Sequence, residues 1–239
     1  MKKSIMEPVK RQKEILNSVI EEYINSAQPV SSQLLEKKYD FGICPATIRI
    51  EMQKLTDKGF LCQPHTSAGR VPTDKGYRFF VDNLLEKEFE DFKIGDWLND
   101  EIKDNIKFIQ VLTKNLAQIS GALVLSYLEK EKVFWREGWE EILKEPEFGE
   151  KDFAVNFAEF LENFENDIEN FEINSGIKIY IGKENHLKRA KEFSLISSRC
   201  HLPNEDGIIC LLGPKRMAYD KNISLMNSLV EALAEAREE

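Results

Sequence analysis

The sequence predicts an α+β chain in two parts, a small helix-rich module over residues 1–86 and a larger sheet-containing part behind it. Three observations predict this. Before residue 86, apolar residues recur at three- and four-residue steps in segments punctuated by Pro29, Pro45 and Gly59. After residue 119, short β-branched runs alternate with helical stretches. Charge divides at nearly the same place: residues 1–85 carry 13 basic and 10 acidic side chains, net +3, which leaves 20 against 32, net -12, for the remainder.

Between Ile5 and Ile24 the residues Ile15, Leu16, Val19, Ile20, Tyr23 and Ile24 form one apolar stripe, which predicts the first helix. Pro29 cannot continue it, having no amide hydrogen. Ser31 is a suitable N-cap for a second helix to about Tyr39 with Leu34 and Leu35 inward, and Asp40, Phe41 and Gly42 make the turn after it. A third helix starts at Pro45 and stops at Gly59. Turning Ile48, Met52 and Leu55 to the core puts Ala46, Arg49, Ile50 and Gln53 on the opposite face.

Three such helices with a glycine-containing turn between the last two predict a helix-turn-helix, whose third helix would enter a major groove. Arg49 has the fork for a guanine edge and Gln53 the amide for an adenine. A small bundle with a solvated polar face has the same periodicity, so the decision falls to the next segment. Phe60–Gln63 alternates like a strand, residues 64–70 (PHTSAGR) are small and polar, and Val71-Pro72 can return as a second strand. Such a strand, loop and strand predicts a wing, with hydroxyls for phosphates and an arginine for a narrow minor groove. Thr73 then caps a helix over Asp74 to about Leu85, with Tyr77, Phe80, Val81 and Leu84 packed and Lys75 and Arg78 exposed. The candidate DNA contacts are Ser32, Pro45, Ala46, Thr47, Arg49, Ile50, Gln53 and Lys54 on the helices, His65, Thr66, Ser67, Gly69 and Arg70 on the loop, and Lys75 and Arg78 beyond it. The local basic excess fits a phosphate partner despite the net charge of -9.

Residues 87–118 carry an apolar stripe, Phe92, Ile94, Trp97, Leu98, Ile102, Ile106, Ile109, Leu112 and Leu116, and predict a long linking helix. Pairing with a second copy and packing on its own domain explain that spacing equally well. Residues 121–128, 177–181, 195–202 and 208–212 are strand candidates, and a closing helix is expected from about Tyr219 to Ala236. Phe153, Phe157, Phe160, Leu161 and Phe164 within the acidic stretch Phe148–Phe171 have the spacing of a helix face that lines a core or an interface.

Several function classes are excluded. No apolar run reaches the roughly 18–20 residues that cross a bilayer, and the charged start lacks a signal segment, so a cytoplasmic protein with no membrane partner is expected. Cys44, Cys62, Cys200 and Cys210 show neither zinc nor disulfide spacing and are expected to be reduced, in the core or half-buried. His65, His186 and His201 lack the partners of a metal site or a triad. With no nucleophile elbow, phosphate loop or metal set, no enzyme is expected, and no cofactor or metal.

The stretches Arg11–Leu16, Ala46–Arg49 with Glu51-Met52, and above all Gln63–Phe79 (QPHTSAGRVPTDKGYRF) resemble the N-terminal domain of heat-inducible transcription repressors, the HrcA family. The segments Ile179–Asn185, Phe193–Ile196 and Leu212–Tyr219 resemble the GAF-like half of the same repressors. The resemblance implies a winged helix-turn-helix over 1–86, a linker or dimerisation helix over 87–118, and a GAF-like α+β regulatory domain over 119–239 with a reduced helical insert around 138–173. It also implies a homodimer on an inverted-repeat operator before chaperone genes, released on heat stress, with chaperonin as a partner. Two features depart from the family. Its larger dimerising insert is shortened here, and Ile50 stands where an asparagine usually follows the arginine, so a thymine methyl replaces an amide's paired hydrogen bonds as the available contact. GAF-like folds often bind ligands, so a small-molecule signal is the competing expectation.

Overall fold

The computed structural model describes residues 7–86, 92–94, 105–170, 176–202 and 205–238. The chain forms two compact units, Met1–Lys87 and Glu88–Glu239. In the first, α1 (Lys10–Ser26), α2 (Ser32–Lys38) and α3 (Pro45–Asp57) are followed by β1 (Leu61–Cys62), β2 (Val71–Pro72) and α4 (Asp74–Leu85). The punctuation works as the residues require. The Ser31 hydroxyl accepts from the Leu34 amide at 3.1 Å and Thr73 does the same for Gly76 at 3.1 Å, each satisfying a free helix N–H. Gly59 ends α3 with φ +78°, where an L side chain would be strained. Ile15, Leu16, Val19, Ile20, Leu35, Ile48 and Leu55 are wholly buried and join α1, α2 and α3. β1 and β2 are antiparallel, with Leu61 opposite Pro72 and Cys62 opposite Val71.

A polar brace crosses this core. Buried Glu51 of α3 accepts from Gln12 Nε2 of α1 at 2.7 Å and from Lys54 at 2.7 Å, while Gln12 Oε1 accepts from Lys58 at 2.8 Å. Donation from Lys54, then from Gln12, holds the Glu51 carboxyl below its ordinary value. Glu51→Ala is expected to destabilise this unit by roughly 1–2 kcal/mol, because the buried Gln12 amide loses its acceptor. Faster amide hydrogen exchange in α1 and α3 would register the loss. The sign in pH follows from the depressed value: the stabilisation is present above the unfolded carboxylate's pKa and is lost as pH falls through the lower folded one.

The second unit holds α5 (Asn105–Ser120), β3 (Leu123–Leu128), β4 (Val133–Glu137), α6 (Trp139–Ile142), α7 (Lys151–Asp167), β5 (Lys178–Ile181), β6 (Phe193–Leu202), β7 (Glu205–Pro214) and α8 (Tyr219–Glu238). Its five-stranded sheet has the order β4-β3-β7-β6-β5, every neighbouring pair antiparallel. Side chains alternate between its faces. On one face Thr113 of α5 meets Ser126 of β3 at 2.6 Å, and Tyr219 of α8 meets Ser194 of β6 at 2.7 Å. On the other, Leu123, Leu125, Tyr127, Phe193, Leu195, Ile208, Cys210 and Leu212 form one core with Phe157, Phe160, Leu161 and Phe164 of α7. Phe193 is the centre of that core, its ring 5.0 Å from Phe153, 5.1 Å from Phe157 and 5.3 Å from Phe160. Charged pairs fasten the same segment: Arg136 to Glu165, Arg189 to Glu159, and Arg216 to Glu145 and Glu147.

Four expectations change. The stripe at Ile109, Leu112 and Leu116 is buried on its own unit's sheet, since α5 packs on β3 and β4, so that face is filled without a second chain. Residues 92–94 carry no helix, and Trp97, Leu98 and Ile102 lie outside the described residues. Strand β4 was not anticipated, whereas helix α6 falls within the helical stretch expected around 138–173. Cys200 and Cys210 are buried, with burial pushing the Cys200 thiol up to about 12, but Cys44 and Cys62 are exposed because they lie at a helix start and on a two-residue strand's outer side.

Candidate nucleic-acid interface

The candidate surface is carried by α3, the start of α2 and the loop between β1 and β2. Helix α3 buries Ile48, Met52 and Leu55 and leaves Ala46, Arg49, Ile50 and Gln53 exposed, with Ile50 55% accessible on a polar face. A singly exposed apolar side chain is ordinary on a protein surface, so Ile50 gains meaning only from its place between Arg49 and Gln53 on this face. Pro45 occupies the first turn, and Thr47 Oγ1 lies 3.4 Å from Cys44 Sγ, a contact that lowers the exposed thiol's pKa. Lys54 is paired to Glu51, which ties it to the brace under α3.

The loop is organised by groups whose roles residue type alone did not reveal. Gln63 Nε2 donates to the carbonyls of Thr66 and Ala68, both at 2.9 Å, and the Ala68 amide donates to the His65 carbonyl at 2.9 Å. This leaves the side chains of His65, Thr66 and Ser67 exposed. At the loop's end Arg70 and Val30 exchange both backbone hydrogen bonds, at 2.8 and 2.9 Å, which ties the loop to the segment that precedes α2. An open cleft results, with Ser31, Ser32 and Gln33 on one side, Arg49 and Met52 on the floor, and Ser67–Arg70 on the other side.

Thus Ser32, Arg49, Ser67, Gly69 and Arg70 converge on one cleft, and Ala46, Ile50 and Gln53 share the exposed face of the helix that forms its floor. Lys75 and Arg78 depart from expectation. Both are half-buried; the ring of Phe60 lies beneath Lys75, 4.0 Å from its ammonium, and the Lys58 carbonyl accepts from that ammonium at 2.6 Å. Desolvation lowers the Lys75 pKa. Arg78 reaches Asp82 one turn along α4 at 3.4 Å. Among the described residues no group of acidic, cysteine and histidine side chains could hold a metal ion, and no helix is long and apolar enough to cross a membrane.

Elements and topology define a two-unit α+β protein. A family model described as the HrcA protein C terminal domain matches residues 75–223, more than half of the chain, and the chain belongs to the HrcA family. It is 29% identical to a heat-inducible transcription repressor HrcA of Brevibacillus brevis over 94% of this chain and 96% of that one. That alignment runs over 329 positions against 239 residues here, so the relative carries at least 90 residues that this chain lacks. Likeness is concentrated in shorter stretches with other proteins of the same description: 56% identity over 78 residues with that of Alkaliphilus metalliredigens, covering 33% of this chain and 23% of that one, and 42% over 121 residues with that of Desulfitobacterium hafniense, covering 51% and 32%. Among solved structures, a hypothetical protein determined at 2.2 Å superposes with a TM-score of 0.83 over 96% of this chain and 98% of that one at 22% identity, which speaks to the fold alone.

Proposed function

We propose that the chain is a cytoplasmic, sequence-specific DNA-binding repressor of heat-shock genes, acting as a homodimer on an inverted-repeat operator and released on heat stress. Residues 1–86 act as a winged helix-turn-helix, with α3 in the major groove and the β1–β2 loop as the wing over the neighbouring backbone. Residues 119–239 act as a GAF-like regulatory domain. One observation carries the reading: Arg49, on the exposed face of α3 that also carries Ile50 and Gln53, lines one cleft with Ser67, Gly69 and Arg70 of a loop whose Thr66 and Ser67 are exposed. Protein–DNA interfaces need that division of labour, base edges for one element and phosphates for the other. The chain's similarity to heat-inducible transcription repressors supports both the repressor role and the heat signal.

Twofold symmetry of a dimer would match a palindromic site. Phosphate contact is assigned to the loop, the start of α2 and Lys75, whose ammonium keeps further hydrogens beyond the one donated to the Lys58 carbonyl.

Arg49→Ala is expected to weaken operator binding by about 1–3 kcal/mol and to relax discrimination at a single base pair. Titration against single-base-pair operator variants measures both. A uniform loss across all duplexes would remove Arg49 from base reading. For the whole reading the test is genome-wide footprinting with and without heat. The expected result is occupied sites before chaperone genes, vacated on warming; occupancy indifferent to sequence would sink it.

A further inference from the structure

Two of the five N–H donors of Arg70 are already engaged inside the free protein. Its Nε donates to Thr56 Oγ1 at 3.1 Å and its Nη2 to Gln53 Oε1 at 2.8 Å, both acceptors on α3. The Gln53 amide nitrogen in turn donates to Asp57 Oδ1 at 2.8 Å, one turn along the same helix. Gln53, the adenine-reading candidate, is therefore held at both ends of its amide.

The identities of the two holders matter more than the fact of holding. A guanidinium has only donors and an ionised carboxylate only acceptors. Rotating the Gln53 amide by half a turn would set its NH2 against Arg70 and its oxygen against Asp57, turning two attractive contacts into two repulsive ones. Oxygen toward the wing and nitrogen toward the C-terminal end of α3 is thus the one polarity the site tolerates. Neither end is exhausted, since the oxygen keeps a second lone pair and the nitrogen a second hydrogen. An adenine edge asks for such an acceptor and donor side by side, for its N6 amino group and N7.

We propose that Arg70 is a positioning residue for sequence readout: with Asp57 it fixes the donor–acceptor polarity of Gln53, so that the wing helps decide which base pair α3 prefers. The inference rests on the reading of α3 as the base-reading helix. It differs from a wing arginine that only meets phosphate or a minor groove, because its effect falls on one base pair in the major groove. The backbone bridge between Arg70 and Val30 fixes the main chain from which the guanidinium reaches α3.

The test uses the full chain and its preferred duplex, selected from a random pool and then varied one base pair at a time. Arg70→Lys keeps the charge and removes the planar fork; Asp57→Asn offers a donor as well as an acceptor at the other end of the amide, so that this end no longer dictates its polarity, without touching the wing. The expected result is that both variants lose discrimination at the base pair where Gln53→Ala loses it, by roughly 5- to 150-fold. Arg70→Lys should keep the wild-type salt slope, and Arg70→Lys with Gln53→Ala should be no worse than Gln53→Ala alone. An Arg70→Lys chain with unaltered preference at that base pair, or losses that multiply in the double variant, would overturn the proposal while leaving α3 as the reader. A wild-type chain that selects no duplex would overturn both.

Discussion

A Phe193→Ala chain is expected to lose about 3–5 kcal/mol of stability in its second unit, the cost of truncating a buried aromatic whose neighbours relax only in part. The estimate is set by position. Phe193 is 1% exposed on β6, and the rings of Phe153, Phe157 and Phe160 all lie within 5.3 Å of its own, in edge or stacked contact. Such pairs add to area burial, so the loss should exceed that of an aliphatic truncation nearby. Trp135 and Trp139 lie on β4 and α6, Trp139 with its ring 6.3 Å from Phe157, and all three tryptophans of the chain fall in residues 88–239. Denaturant unfolding followed by tryptophan fluorescence therefore reports this unit. A midpoint unchanged in Phe193→Ala would mean that α7 does not close the sheet face.

That expected loss bears on how a chain shorter than its relative remains folded. The Brevibacillus brevis relative carries at least 90 residues with no counterpart here, yet the sheet is covered on both faces, by α5 and α8 on one and by α7 on the other. The spacing of Phe157, Phe160, Leu161 and Phe164 already implied a one-sided helix, and the structure supplies the side. What spacing could not show is which surface the stripe meets. The same limit left Ile109, Leu112 and Leu116 open between a second chain and their own sheet, and contact with β3 and β4 decides it.

Local punctuation was legible wherever one residue type has one use. Pro45 and Gly59 bound α3 to within two residues, and Ser31 and Thr73 cap the helices they were expected to cap. Strand β4 was missed because Val133–Glu137 is an edge strand that mixes charged with apolar residues and so lacks an alternating pattern. Lys75 was misjudged because a helical wheel gives direction but not the neighbour: Phe60 and the Lys58 carbonyl lie where solvent was assumed. The hold of Arg70 on Gln53 spans seventeen residues, beyond any local pattern. Gln63 stood within the motif QPHTSAGR, and only its two bonds to loop carbonyls show it to be the organiser of the wing.

Gly69→Ala is expected to cost about 3 kcal/mol or more in the first unit and to weaken DNA binding beyond the Arg49→Ala loss. A Cβ at residue 69 would lie 2.3 Å from the Val30 carbonyl oxygen and 2.8 Å from the carbonyl carbon of Pro29, both backbone atoms with no side chain to yield. The loop would have to lift, and with it would go the two hydrogen bonds between Val30 and Arg70. Val30 is wholly buried, so its amide and carbonyl would be left without partners, at roughly 1–3 kcal/mol for each group. The same displacement would carry the Arg70 guanidinium away from Gln53 and Thr56, so a single methyl should both loosen the wing and relax the base preference attributed to Gln53. Hydrogen exchange at the Val30 and Arg70 amides, read with operator titration on one preparation, separates the two effects. Retained protection at both amides would show that the loop accommodates the methyl, and the close approach of Gly69 would then not be what holds the wing against α3.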